Sequence, residues 1–447
     1  MNSAINCEIQ VTDDRHVSQL LFGGLLLFFL FEYVRPGSYF PVLETLKINT
    51  LIPVAVFILT LMSSRGRPQK AVLTATSSKW FLLFIAFFPL QVMTADVTLY
   101  VYETFKAVVG YLLIYYVIIR HITKIERIRA IFFIMVFIHV LLIFLNADLV
   151  LHPENRNYIM GVTFLGDGND FAWSVCIVIP FALFLAQSSQ SKIKKMLYTS
   201  VFVLLVLAVI ATQSRGGSLA LGTSILYLVM RGNRKAIGLI GLGILIAIVS
   251  LFAPQAYFDR MNTLTDYKNE GSAQGRILAW NSAIHMAVDH PFTGVGAGHF
   301  GVKFGVEYRP PGVGRTELPW LNAHSIYFLT LGEFGFSGMI FLLGLIITNV
   351  LRNERIIANT SESMEPSADA CRKLIIAMQA SFISFAVGGA FLSGLYYPHI
   401  FVVCALNESV CLLALTGLSE KLKVATRQIN MKRHALAGQA APSRARI

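Results

Sequence analysis

The chain has 447 residues, of which 55% are hydrophobic and only 14% charged, with a mean hydropathy of +0.62. These values exclude a soluble globular protein and indicate one built to sit in a membrane. The formal net charge of +12 resides mostly in short turns between apolar runs, so it reads as a topology signal and not as a nucleic-acid footprint.

In chain order, runs able to cross roughly 30 Å of hydrocarbon lie near residues 18–34, 48–62, 80–94, 105–119, 130–146, 169–187, 197–212, 216–230, 236–253, 323–349, 374–395 and 399–418. They predict an all-α polytopic membrane protein with about twelve transmembrane helices. Residues 1–17 contain Asp13 and Asp14 and lack a basic leader, so the first span is expected to stay as an anchor. Spans one to nine occupy 1–253, a long polar loop 254–322, spans ten to twelve 323–418 and a basic tail 419–447. With the N-terminus inside, 26 of the 37 Lys and Arg fall on the inner side. Both termini are then cytoplasmic and the long loop is outside. A disordered tail is the simplest reading of 419–447, with anionic lipid as the alternative contact.

The five cysteines, Cys7, Cys176, Cys371, Cys404 and Cys411, all lie outside the long loop, so no disulfide framework is implied. Gly332, Gly335 and Gly338 have the spacing of close helix packing.

Chemistry concentrates at the outer face. Gln213-Ser214-Arg215-Gly216-Gly217 joins two spans by a turn of a few residues. It sets Arg215 beside a helix N-terminus, an arrangement suited to phosphate. An interfacial arginine snorkelling to lipid is the competing reading, and the two glycines are expected to let a ligand approach the backbone. Trp320-Leu321-Asn322-Ala323-His324-Ser325 opens the tenth span in the same way. Asn322 is a candidate cap and His324 a near-neutral histidine able to act as a base; a histidine bonded to a loop carbonyl is the plainer alternative. Between them, residues 273–290 place Ile277, Trp280, Ile284 and Val288 at helical spacing, predicting an amphipathic helix with Arg276 near its start. The run Gly294-Val295-Gly296-Ala297-Gly298 follows and is expected to be a hinge or a close backbone approach to substrate, since no strand or lysine completes a nucleotide loop.

Arg309 and Arg315 are candidate contacts to acceptor phosphates, with solvated loop charges as the alternative. Asp167-Gly168-Asn169-Asp170 is read as a helix cap in preference to a cation site. Glu333 and Glu408 are candidate buried polar contacts inside spans, with a functional role, as in a transporter, as the alternative.

Arg215-Gly216-Gly217-Ser218-Leu219, Gly275-Arg276 with Trp280, His290-Pro291 before the glycine run, and His324-Ser325 leading to Glu333, Gly335 and Gly338 together resemble the O-antigen ligase family over roughly residues 200–350. That family includes lipopolysaccharide ligases, related polymerases and protein O-oligosaccharyltransferases. The resemblance implies a GT-C-like glycosyltransferase of the bacterial inner membrane with no cofactor or metal and a periplasmic active site. Its donor would be an undecaprenyl diphosphate-linked glycan and its acceptor a lipid A-core sugar. By position, His324 matches the family's essential histidine, and Arg215 and Arg276 its diphosphate-contacting arginines. Polymerase and protein glycosyltransferase remain alternatives, and a transporter is the reading from another class.

Overall fold

The computed structural model describes the chain except for residue 1 and residues 153–154, 156–158, 160–163, 233–234, 263–270, 311–317, 361–365 and 416–447. The expected tail and Arg315 lie outside the described residues. Among those described, the elements are helical and no strand occurs. The first half comprises α1 (Asn2–Val34), α2 (Pro41–Thr45), α3 (Ile48–Met62), α4 (Gln69–Leu73), α5 (Thr76–Thr94), α6 (Thr98–His121), α7 (Ile125–Leu145), α8 (Asp148–Leu151) and α9 (Gly168–Ser188). The second comprises α10 (Lys192–Ala211), α11 (Arg215–Arg231), α12 (Lys235–Phe252), α13 (Gln255–Asn262), α14 (Gly271–Asp289), α15 (Phe300–Val306), α16 (Ile326–Thr360), α17 (Pro366–Gly389) and α18 (Pro398–Leu415).

All twelve expected spans fall on helices, and the protein is a polytopic all-α membrane protein. Nine described helices are long and apolar enough to cross a bilayer; α12 with α13, bent by 109°, makes a tenth if the pair is one span. The other two fall short for a physical reason. At 1.5 Å per residue, α3 with 15 residues and α11 with 17 reach only about 22 and 25 Å.

Helix α9 is the centre of the bundle, packing against α7, α10, α11 and α17. Its Trp173 is fully buried, and Gly388, Gly389 and Gly394 leave room for the indole, which a Cβ at Gly388 would approach to 2.2 Å. At the end of the bundle rich in Lys and Arg, guanidinium groups bind loose backbone oxygens. Arg67 donates to the carbonyls of Ile119 and Ser409, and Arg120 to those of Arg67 and Ser63. Glu408, wholly buried, accepts from the Ser77 backbone N–H at 2.7 Å, the Ser77 hydroxyl at 2.8 Å and Arg352 at 2.7 Å. This joins α5, α16 and α18, so Glu408 is a structural contact, as its place in a span suggests.

The element that positions the segment between α13 and α16 is α16. It is broken at Gly335, which has φ 63° and ψ −160°, and the glycine run after α14 lies against the break. The N–H of Val295 donates to Gly332 O at 2.9 Å, that of Gly296 to Glu333 O at 3.1 Å, and that of Phe336 to Pro291 O at 2.9 Å. Gly294, Gly296 and Gly298 have φ of 62°, 101° and 76°. A Cβ on Gly294 would stand 2.3 Å from the backbone carbon of Glu333. The run is thus a close backbone approach to α16 of its own chain. Gln91 braces it, donating to Glu333 O at 2.7 Å and Thr293 O at 3.0 Å and accepting from Ala297 N–H at 3.1 Å. The Glu333 carboxylate accepts from Phe300 N–H at 3.0 Å and from the Tyr396 hydroxyl.

Helix α14 forms where its periodicity predicts, but with a different buried face. Ala279, Ala283, Met286 and Ala287 are fully buried, whereas Ile284 is 42% and Val288 63% exposed. Small side chains let α14 approach α16 closely, and Met286 fills the space beside Gly332; of the bulkier stripe, Ile284 and Val288 face outward while Ile277 and Trp280 stay half-buried.

Substituting Gly294→Ala or Gly335→Ala should destabilise the protein. The left-handed backbone alone costs about 1–2 kcal/mol for a residue with a Cβ, and the backbone overlap adds to it. Thermal unfolding in detergent should show a Tm several degrees lower for each, while Gly110→Ala, whose Cβ would meet nothing within 4 Å, should leave Tm unchanged or slightly higher.

Candidate functional site

Two helices begin in the same way at one end of the bundle. Before α11, Gln213 adopts φ 54° and Ser214 caps the helix, its hydroxyl accepting from Gly217 N–H at 3.1 Å. Before α16, His324 adopts φ 45° and Ser325 takes the capping position, its hydroxyl accepting from Phe328 N–H at 3.5 Å. The cap of α16 is therefore Ser325 and not Asn322, whose side-chain oxygen accepts from the adjacent Ala323 N–H. Left-handed conformations are uncommon for residues with a Cβ. Each turns the chain sharply into its helix, putting Arg215 at the first position of α11 and His324 just ahead of α16.

The α17–α18 connection stands between these starts. Its Phe391 would meet a Cβ on Gly216 at 2.9 Å, and Ala172 of α9 one on Gly217 at 2.7 Å. The two glycines thus admit neighbouring side chains. Two residues beyond Phe391, the Ser393 hydroxyl accepts from His324 N–H at 2.7 Å. A little deeper, the Tyr327 hydroxyl donates to Ala386 O at 2.9 Å. Arg215 and His324 consequently flank one loop, anchored on either side of it.

Helix α14 brings in the third residue. Trp280 stacks on Phe328 with ring centroids 4.8 Å apart and planes within 10°, and its indole N–H donates to Ala323 O at 2.8 Å. Arg276 lies one turn earlier on the same helix face as Trp280, and its charge acts on His324. The imidazole is held below its usual pKa, first by burial, then by the Arg276 guanidinium, with the Asp167 carboxylate opposing. His324 nonetheless stays open to solvent. A neutral, accessible imidazole next to a cation can accept a proton from a hydroxyl while the cation faces an anion.

Asp167 is a neighbour that reasoning from sequence missed. Its side chain caps α9, accepting from Asn169 N–H at 2.7 Å and the Asn169 amide at 2.8 Å, as the capping signature predicts. Its distance of more than 150 positions from His324 in the chain hides the electrostatic link. Asp170 binds the Tyr397 hydroxyl. Among the described residues no group of three His, Cys, Asp or Glu side chains is placed to hold a metal ion. Arg309 is engaged locally: its Nε donates to Gly305 O at 2.9 Å, and a terminal nitrogen to Leu318 O at 2.5 Å. It staples the stretch before α16, whereas Glu333, tied to Phe300 and Tyr396, is a fixed buried acceptor below the break.

No curated protein matches this chain. Residues 200–343, running from α10 into α16 and carrying Arg215, Arg276, Arg309, Arg315 and His324, match the family model for O-antigen ligase, which supports a membrane ligase or polymerase type of glycan transfer for this multi-pass protein.

Proposed function

We propose that this protein is an inverting, metal-independent glycosyltransferase that moves O-antigen glycan from undecaprenyl diphosphate to a hydroxyl of a lipid A-core sugar at the periplasmic face of the bacterial inner membrane. The observation that carries this reading is the arrangement of Arg276 beside His324, held by Trp280, with Arg215 opening α11 across the Phe391–Ser393 loop. In the reaction, the neutral His324 takes the proton of the acceptor hydroxyl as its oxygen bonds to the anomeric carbon. The bond from that carbon to the diphosphate oxygen breaks on the opposite side, and its electron pair leaves with undecaprenyl diphosphate. Arg215, Arg276 and the N-terminus of α11 face the charge that develops on the leaving group. The imidazolium then returns its proton to water.

The periplasmic placement rests on the distribution of Lys and Arg, 26 of 37 at the opposite side. A transporter would need ionisable groups along a mid-membrane path. Glu333 and Glu408 are instead each bound by fixed donors within the fold, which favours the enzyme.

With purified protein and EDTA present, wild type should transfer lipid-linked glycan to lipid A-core. His324→Ala should lose on the order of 10²–10⁴-fold in rate, and Arg276→Gln a few hundred-fold, about 3–4 kcal/mol. Chain growth of the lipid-linked glycan in place of transfer would make the protein a polymerase. No reaction in either assay, or full activity of His324→Ala, would sink the proposal.

The pH dependence follows from the direction of the histidine shift. The imidazole is a base only when neutral, and its pKa in the folded protein lies below the ordinary 6.5. The acid limb of kcat/KM should therefore have its midpoint below 6.5, with activity retained at pH values where an unperturbed histidine would already be charged. A midpoint above 6.5 would contradict the environment described for His324.

A further inference from the structure

Helix α14 packs on α16 with Ala279, Ala283, Met286 and Ala287 buried, and the rest of its surface divides into two flanks. On the helical wheel, Ile277, Ile284 and Val288 fall together on one of them. Asn281, His285 and Asp289, all exposed, fall on the other. The apolar flank is open: Ile284 and Val288 project outward, and beyond the end of the helix Phe292 is 75% exposed.

This flank does not stop at the helix end. Pro291, next to Phe292, accepts from Phe336 N–H at 2.9 Å, which sets Phe292 beside the part of α16 beyond its break. There Phe336, Ile340, Leu343, Ile347 and Leu351 are exposed at helical spacing, along a helix long and apolar enough to cross a bilayer. Gln91 of α5 donates to Thr293 O at 3.0 Å, and its neighbours Leu90 and Met93 are exposed as well. One apolar strip thus runs up the spanning part of α16, passes the end of α5 and continues onto α14.

We propose that the flank of α14 bearing Ile284 and Val288, with Phe292 after it, lies against the acyl chains of the bilayer. The inference stands apart from glycan transfer. The occupant follows from continuity: exposed apolar side chains on a spanning helix face lipid, and Phe292, Val288 and Ile284 carry that same surface onward. The division of α14 fits this surroundings, since a helix at the membrane boundary turns an apolar flank to lipid and a polar one to water. Left in water, a contiguous apolar strip of this kind would be a site for association, and the bilayer is already in contact with its other end. Because α14 also carries Arg276, the bilayer shares in seating that side chain.

Electron paramagnetic resonance on the full chain in nanodiscs of phosphatidylethanolamine and phosphatidylglycerol tests this. Nitroxide labels carried by an encoded keto amino acid replace, one at a time, Ile284, Val288 or Phe292, Asn281 or His285, and Ile340 as the reference within the span. Oxygen concentrates among acyl chains and a nickel chelate stays in water, so the ratio of their collision rates reports the surroundings of each label. The ratio at 284, 288 and 292 should approach that at 340 and exceed that at 281 and 285 several-fold. Unlabelled wild type gives a second reading: under hydroxyl radicals in the same nanodiscs, Phe292 should be protected as Phe336 is, while His285 is oxidised. Ratios at 284 and 288 no higher than at 281 and 285 would overturn the proposal. So would labels closed to both reagents, as beneath a second copy or another protein, or oxidation of Phe292 at the rate of His285.

Discussion

The glycine run lying in the break of α16 is the contact on which the segment between α13 and α16 depends. A helix interrupted inside the bundle exposes backbone groups, and where water is excluded each unsatisfied one costs several kcal/mol. Here Val295 and Gly296 supply N–H groups to Gly332 and Glu333, and Pro291 supplies a carbonyl to Phe336. The close approach is open only to glycine at 294 and 335. The break and the loop satisfy one another, and the end of α14 is pinned to the middle of α16. Trp280 pins its earlier turns to the start of α16. Two attachments fix both the position and the direction of α14, and with them the relation of Arg276 to His324.

The molecule has two polar ends of different make-up. At one, Arg215, Arg276 and His324 surround a loop beside two helix starts. At the other, basic side chains engage backbone oxygens and the buried Glu408. Between them, α9 is almost entirely apolar and buried. The proposed catalysis from one face would need a rigid body beneath that face. The Trp173 packing and the polar tie between α5, α16 and α18 supply it.

Much of this was legible in the sequence because long-range order in a membrane is governed by a simple solvent. Apolar runs mark the helices, basic turns mark one side, and the sequence places Arg215 and His324 next to helix starts, where the structure also has them. What was not legible depends on partners distant in the chain. Along α14, Trp280 keeps its contact with α16 as its spacing suggests, but Ile284 and Val288 turn outward because α16 offers glycine there and the alanines and Met286 take the contact. The glycines after Arg215 and at 294–298 correctly signalled close approach. Composition alone could not say that the approaching groups would be Phe391, Ala172 and the backbone of α16. The Ser393 contact to His324 and the charge of Asp167 have no local signature at all. The caps do: Ser214 and Ser325 each follow the residue that turns the chain, and Ser325 was passed over for Asn322.

The account turns on a neutral His324 that feels the charge of Arg276. Titration of ¹³C-labelled histidine by NMR in lipid nanodiscs, in wild type and in Arg276→Gln, tests it directly. The His324 resonance should titrate below pH 6.5 in wild type and move upward when the guanidinium is removed. A His324 that titrates at or above 6.5, or one indifferent to Arg276→Gln, would contradict the arrangement.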